Sequence, residues 1–248
     1  MRVAVVGASS GLGRCIGVGL AEKGARVALL ARRKDRLANA VEETGGAALA
    51  VPCDATDTDS CRAAIDEVVA GLGGLDALVY APAIGPLARI EDTDAATWRA
   101  AFDTNVIGAT LMTAAALPHL KASAGTAAYL SSVSASQTPP WPGLSAYAVT
   151  KAALDKLVEA WRAEHPDVGF TRVVVGDCAG GEGESLTEFA NGWDPDLAGE
   201  LMPTWIDRNY LAGQLMPVQR LVDVLDVVLR AGAADVVPSI IVAPRHAQ

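Results

Sequence analysis

The sequence predicts an α/β fold built on a doubly wound parallel sheet of about seven strands, on three observations. Short apolar runs without polar alternation recur along the chain, longer helical patterns separate them, and a glycine-rich turn joins the first run to the first helix. Unalternated apolar runs suit strands covered on both faces, and a repeating βα order leads to right-handed crossovers within one parallel sheet. With 248 residues, 51% of them hydrophobic, the chain can bury such a core as a single domain spanning residues 1–248.

Taken in order, the first strand is RVAVVG (2–7), and its closing glycine hands over to a helix at 12–25. RVALLA (26–31) follows Gly24 and ends in a charged cluster, a setting that favours a strand over the alternative of a core helix fragment. A helix at 34–44, the strand AALAV (47–51), a helix at 58–71 and the strand ALVYA (77–81) continue the alternation. The second half reads as helix 94–122, strand TAAYLSS (126–132), helix 145–164, strand TRVVVG (171–176), helix 217–231 and strand SIIVA (239–243). The rhythm breaks at 177–217, a glycine-rich insertion carrying Phe189, Trp193, Trp205, Met202 and Met216. Long insertions in compact domains are functional lids or disordered segments, and this aromatic content favours a lid at the carboxyl edge of the sheet.

GASSGLG, residues 7–13, follows the first strand and opens a helix, which is the setting a phosphate-binding turn requires. Gly7, Gly11 and Gly13 permit the tight turn and close approach of a pyrophosphate, while Ser9, Ser10 and Leu12 bring backbone N–H groups toward it. The end of the second strand decides which nucleotide fits, because an acid there binds a ribose 2′-OH and a base binds a 2′-phosphate. The chain reads LLARRKDRL, with Ala31 where an acid would stand and Arg32 after it, so NADP is favoured over NAD. Solvated arginines at a helix entrance are the alternative. Asp54, after the third strand, is a candidate for the adenine amino group or an ordinary helix-entry residue.

YAVTK places Tyr147 and Lys151 on one helix face, since residues four apart stack. A neighbouring ammonium stabilises phenolate and brings tyrosine from its usual pKa of about 10 toward the working pH, as proton exchange with an alcohol or carbonyl requires. Upstream, YLSSVSA ends the fifth strand and brings hydroxyls to the same edge.

The turn Gly7-x-x-x-Gly11-x-Gly13, the serine run and Tyr147-x-x-x-Lys151 together resemble the short-chain dehydrogenase/reductase family over roughly residues 1–175. The resemblance implies a Rossmann sheet, hydride transfer with nicotinamide, and a catalytic set of Asn105, Ser132, Tyr147 and Lys151. Tyr147 would be the acid/base, Lys151 would hold the nicotinamide ribose, Asn105 would order a proton-relay water, and Ala81 would line the cofactor site. Ser134 competes with Ser132 for the substrate-orienting hydroxyl: it stands at a common family spacing from Tyr147, whereas Ser132 is favoured by strand direction. Three segments depart from the family pattern. YAPAIG (80–85) replaces Asn-Asn-Ala-Gly, VVVGDCAGG lacks the Pro-Gly after the sixth strand, and Val6 stands where threonine is frequent.

The expected activity is therefore that of an NADP(H)-dependent oxidoreductase acting, as a reductase, on a carbonyl or secondary alcohol, and the aromatic lid suggests a moderately hydrophobic substrate. The altered loops keep a second possibility open, a dinucleotide-binding regulatory or scaffold protein of the same fold. A net charge of −9 and the lack of a long basic run argue against nucleic acid as a partner. Four cysteines without C-x-x-C spacing and three scattered histidines point to reduced thiols in the cytoplasm and no metal site. Neither a signal peptide nor a membrane span is expected. Small-residue helices such as GATLMTAAAL suggest a homodimer or homotetramer.

Overall fold

The computed structural model describes residues 1–232 and 234–245. Its centre is a seven-stranded parallel sheet in the order β3-β2-β1-β4-β5-β6-β7. The strands are β1 (Arg2–Val6), β2 (Arg26–Ala31), β3 (Leu49–Pro52), β4 (Ala77–Tyr80), β5 (Thr126–Ser132), β6 (Gly169–Val175) and β7 (Ser239–Val242). Residues 26–31 are thus a strand and not a helix fragment, paired from Arg2 with Arg26 to Val6 with Leu30. The chain winds outward from β1 through β2 and β3, then returns to the other side of β1 with β4. That reversal opens a crevice at the carboxyl ends of β1 and β4, where ligands bind in open α/β sheets.

Helices α1 (Gly11–Glu22), α2 (Lys34–Glu43), α3 (Thr58–Leu72), α4 (Ala95–Phe102), α5 (Gly108–Ser123), the single turn α6 (Val133–Ser136), α7 (Ser145–Glu164), α8 (Pro195–Asp207) and α9 (Val218–Ala231) complete the structure. They bury one apolar core on each face of the sheet. Ile16, Leu20, Leu37, Leu221 and Leu225 pack against one face, and Ile65, Val68, Met112, Leu154 and Phe170 fill the other.

Two departures from simple helical periodicity shape the site. The predicted helix over 94–122 is interrupted by a π turn at Asp103–Ile107, which carries the buried Asn105. The run Ala95–Ser123 is long and apolar enough by composition to cross a bilayer. Here α5 is instead a layer of the fold, packed on α3, β4 and β5. The insertion at 177–217 is also structured. Asp194 caps α8 by accepting from Asp196 N at 2.8 Å and Leu197 N at 3.3 Å, and Pro195 occupies the first turn, where its missing N–H costs nothing.

Candidate active site

Gly7 leaves β1 at φ +81°, a left-handed conformation that favours glycine. Its N–H and that of Ala8 donate to Leu30 O on β2 at 2.8 and 3.1 Å, fixing the turn to the sheet. A Cβ on Gly13 would collide with the Gly7 carbonyl, so this glycine lets α1 sit tight against the turn. Ser10 precedes α1 without capping it through its side chain. The first-turn N–H groups, together with the positive end of the helix dipole, therefore face the crevice as an anion site.

One cavity of about 770 Å³ joins this turn to the chemical residues. Gly7, Ser9, Ser10, Gly11, Leu12, Gly13, Arg32, Asp54 and Ala81 all line it, as do Ser132, Tyr147 and Lys151. Asn105 lies behind the wall, fully buried. Arg32 is exposed at the rim, and the arginine that engages the glycine turn is its neighbour. Arg33 donates to Ser9 Oγ at 2.8 Å and Ser10 Oγ at 2.8 Å. Asp54 forms a local turn, its Oδ1 accepting from Thr56 N at 3.0 Å and Thr56 Oγ1 at 2.7 Å. Those bonds, helped by the Arg32 charge, hold its carboxyl below the usual range.

At the chemical end, α7 carries Tyr147, Lys151 and Asp155 one turn apart. Lys151 is buried and donates from Nζ to Leu130 O at 2.6 Å, with Nζ 5.8 Å from the Tyr147 ring centre. Burial lowers its pKa to about 8, opposed by the charge of Asp155. The Asp155 carboxylate is itself buried, 3.3 Å from Arg172 Nη1 on β6, and burial raises it above the ordinary carboxylate range. Tyr147 departs from the sequence-based expectation. Burial pushes its phenol up, and the group pulling it back is the Ser132 side chain. Phe189 packs on this residue, its ring meeting Tyr147 edge-on at 4.7 Å.

The two candidate serines are linked. Ser132 and Ser134 hydroxyls lie 2.9 Å apart, and Ser134 N donates to Ser132 Oγ at 3.2 Å as α6 begins. Of the two hydroxyls, that of Ser132 is the one that draws the Tyr147 phenol downward against its burial. Asn105 spends its side chain on bracing: Oδ1 accepts from Ile84 N at 2.9 Å, and Nδ2 donates to Ile84 O at 2.9 Å and Thr150 Oγ1 at 2.8 Å. It thereby clamps the atypical 80–85 loop to α7.

The lid closes the cavity with an aromatic cluster. Trp141 stacks on Tyr210 at 5.7 Å and meets Trp205 at 5.6 Å, while Trp193 reaches Trp205 at 6.0 Å. Both lid indoles find backbone acceptors, Trp193 Nε1 donating to Gly85 O at 2.8 Å and Trp205 Nε1 to Pro142 O at 3.0 Å. Sequence reasoning missed Arg33, Trp141 and Glu188 as lining residues. Arg33 carried a signal, its place in the basic cluster after β2, whereas Glu188 carried none.

The chemistry of these residues suits a nicotinamide dinucleotide. The glycine turn offers N–H donors at a helix N-terminus to a pyrophosphate, and a carboxylate of the chain itself, Glu188, already stands as an anion against Ser10 and Arg33 at 3.0 and 2.7 Å. Among the described residues, no group of three His, Cys, Asp or Glu side chains could hold a metal ion.

Compared with known families, residues 1–188 match short chain dehydrogenase. The 11-beta-hydroxysteroid dehydrogenase-like 2 protein of Arabidopsis thaliana is 36% identical over 180 residues, covering 70% of this chain and 58% of the relative. The cis-4-hydroxycyclohexanecarboxylate dehydrogenase of Sinomonas cyclohexanicum is 36% identical over 163 residues, 64% of this chain and 65% of the relative. The match thus spans somewhat over half the length of these curated relatives. Among solved structures, a short-chain dehydrogenase from Streptomyces avermitilis superimposes with a TM-score of 0.77 at 27% identity, over 97% of this chain and 87% of that one. An alcohol dehydrogenase from Thermococcus sibiricus complexed with 5-hydroxy-NADP has the same fold, with a TM-score of 0.79 at 22% identity over 97% and 94% of the two chains.

Proposed function

The chain belongs to the short-chain dehydrogenase family, and on that premise we propose that it is an NADP(H)-dependent oxidoreductase working on a carbonyl/secondary alcohol pair, in the reducing direction. The observation that carries this reading is the convergence of Tyr147, Ser132 and Lys151 on one wall of the cavity whose other end is the glycine turn. The dinucleotide, when bound, supplies the hydride. The rest falls to residues of the chain. Ser132 Oγ orients the substrate oxygen, and Tyr147 gives that oxygen a proton from its hydroxyl. A phenol raised by burial is a reluctant anion, so it holds its proton until the substrate oxygen becomes basic. Lys151, anchored on Leu130 O, stabilises the phenolate left behind while it remains an ammonium.

Asn105 acts as a brace in this scheme, and a proton-relay water held beside it would have to rest on backbone, since its side chain is already committed. Arg32 and Asp54 flank the adenosine end. The aromatic lid favours a moderately hydrophobic substrate, a relation suited to the curated relatives described as hydroxysteroid dehydrogenases. Exposed Ile107 and Val149, at 45% and 44% exposure on the π turn and on α7, support a homodimer or homotetramer. Cys15, Cys53, Cys61 and Cys178 are free thiols, which suits the cytoplasm.

The test is oxidation of NADPH with a panel of ketones, aldehydes and quinones. Tyr147→Phe should lower turnover about a hundredfold or more while leaving NADPH affinity within about twofold, the size expected for loss of a general acid. Full activity in Tyr147→Phe would overturn the mechanism, and equal affinity for NADPH and NADH would overturn the cofactor assignment.

A further inference from the structure

Residues 179–193 form a strap that lies along the groove just assigned to the dinucleotide. Thr187 crosses the glycine turn, its Cα 3.4 Å from where a Cβ on Gly11 would stand. Phe189 covers Tyr147 at the other end, with ring centres 4.7 Å apart. Between them, the Glu188 carboxylate enters the basic corner at the end of β2. Its Oε2 accepts from Ser10 Oγ at 3.0 Å and Arg33 Nη1 at 2.7 Å, and its Oε1 accepts from Arg36 Nη1 at 2.5 Å. A second tie lies alongside, where buried Arg14 pairs with Glu184 at 2.9 Å.

A carboxylate held by two guanidinium groups and a hydroxyl beside a helix N-terminus satisfies the donors that a phosphate would use. We infer that Glu188 is a tethered competitor for the cofactor's 2′-phosphate, and that Ser10, Arg33 and Arg36 pass from one anion to the other when the strap opens. This rests on the NADP(H) reading of the site. Both nicotinamide cofactors must lift Thr187 and Phe189 from the groove, so the closed strap weakens both by the same factor. Only the phosphorylated one regains the three donors that Glu188 gives up. NADPH thereby recovers at Arg33 and Arg36 part of what opening the strap costs, and NADH does not.

The test measures dissociation constants for NADPH and NADH, by quenching of protein fluorescence, in the wild type, Glu188→Gln and Arg36→Gln. Glu188→Gln, nearly isosteric and uncharged, should tighten both cofactors by a similar factor of about ten, the scale of two partly exposed ion pairs and a hydroxyl bond. Arg36→Gln also loosens the strap, so NADH should tighten while the preference for NADPH shrinks. Without cofactor, amide hydrogen exchange over 179–193 should be faster in Glu188→Gln than in the wild type. Unchanged or weaker binding of both cofactors in Glu188→Gln would overturn the inference, as would unchanged exchange. Tightening of NADPH alone would make Glu188 a fixed repulsive neighbour and overturn it equally. Tightening of both cofactors in a protein whose wild type does not prefer NADPH would retain the plug but refute the NADP(H) reading and the 2′-phosphate assignment with it.

Discussion

Asn105→Ala tests the idea that one side chain holds the atypical 80–85 loop in place. The substitution removes three hydrogen bonds, two to the backbone of Ile84 and one to Thr150 Oγ1. At about 0.5–1.5 kcal/mol each, with an added penalty for any partner stranded out of water, the loss is about 2–4 kcal/mol. Ile84 is 38% exposed, so water can recover part of its bonding. Thr150 keeps its bond to Tyr147 O at 2.9 Å. Both facts favour the low end, about 2–3 kcal/mol, which corresponds to a fall in Tm of roughly 4–12 °C for a chain of this size. Urea denaturation followed by tryptophan fluorescence and circular dichroism would measure it. Asn105→Asp keeps the acceptor for Ile84 N but loses both donors and buries a charge, so it should cost at least as much. A loss below about 1 kcal/mol in Asn105→Ala, with NADPH affinity unchanged, would refute the bracing role.

Two further predictions concern burial and close approach. Lys151 has its pKa lowered from 10.5 to about 8 in the fold, so the unfolded chain binds more protons between those values. Stability should rise with pH across that window and the cost of burying the cation should be fully present below pH 8. The stability difference between Lys151→Met and the wild type should shift accordingly in pH-dependent urea titrations, and a flat difference would count against a buried ammonium. Gly13→Ala should destabilise the chain by about 1–3 kcal/mol and weaken binding of both cofactors, because the added methyl has the Gly7 carbonyl in its way. Wild-type stability in that variant would show that the turn can yield.

Much of this architecture was legible in the sequence because burial on two faces leaves a local mark. The strand runs, the glycine turn and the Tyr147–Lys151 face each express a periodicity or a conformational demand within a few residues. Helix α8 was not read from the sequence, although Asp194-Pro195, a cap followed by a proline suited to the first turn, marks its start; the glycine and aromatic content around it obscured the signal. The choice between Arg32 and Arg33 was not, because adjacent residues leaving a strand point to different sides and the turn's exact path decides which one faces the serines. Ser132 and Ser134 turned out to be bonded neighbours, so loop length alone could not have separated them. Glu188 lies 155 residues from Arg33, and no local pattern records a contact made by folding a lid back over the first βα turn. Tyr147 shows the same limit: spacing revealed its partner Lys151, while the phenol's environment depends on a ring from the distant strap.

The two indole bonds of the lid tie it to two loops, at Gly85 after β4 and at Pro142 before α7. They cross-link loops that the sheet itself does not join. The pocket is consequently assembled by contacts outside the two main cores, and its opening free energy need not equal that of global unfolding. Loss of the lid contacts alone would leave the parallel sheet, and with it the far-ultraviolet spectrum, intact while altering the binding site. Ligand affinity and thermal stability should then be read as reports on two different cooperative units.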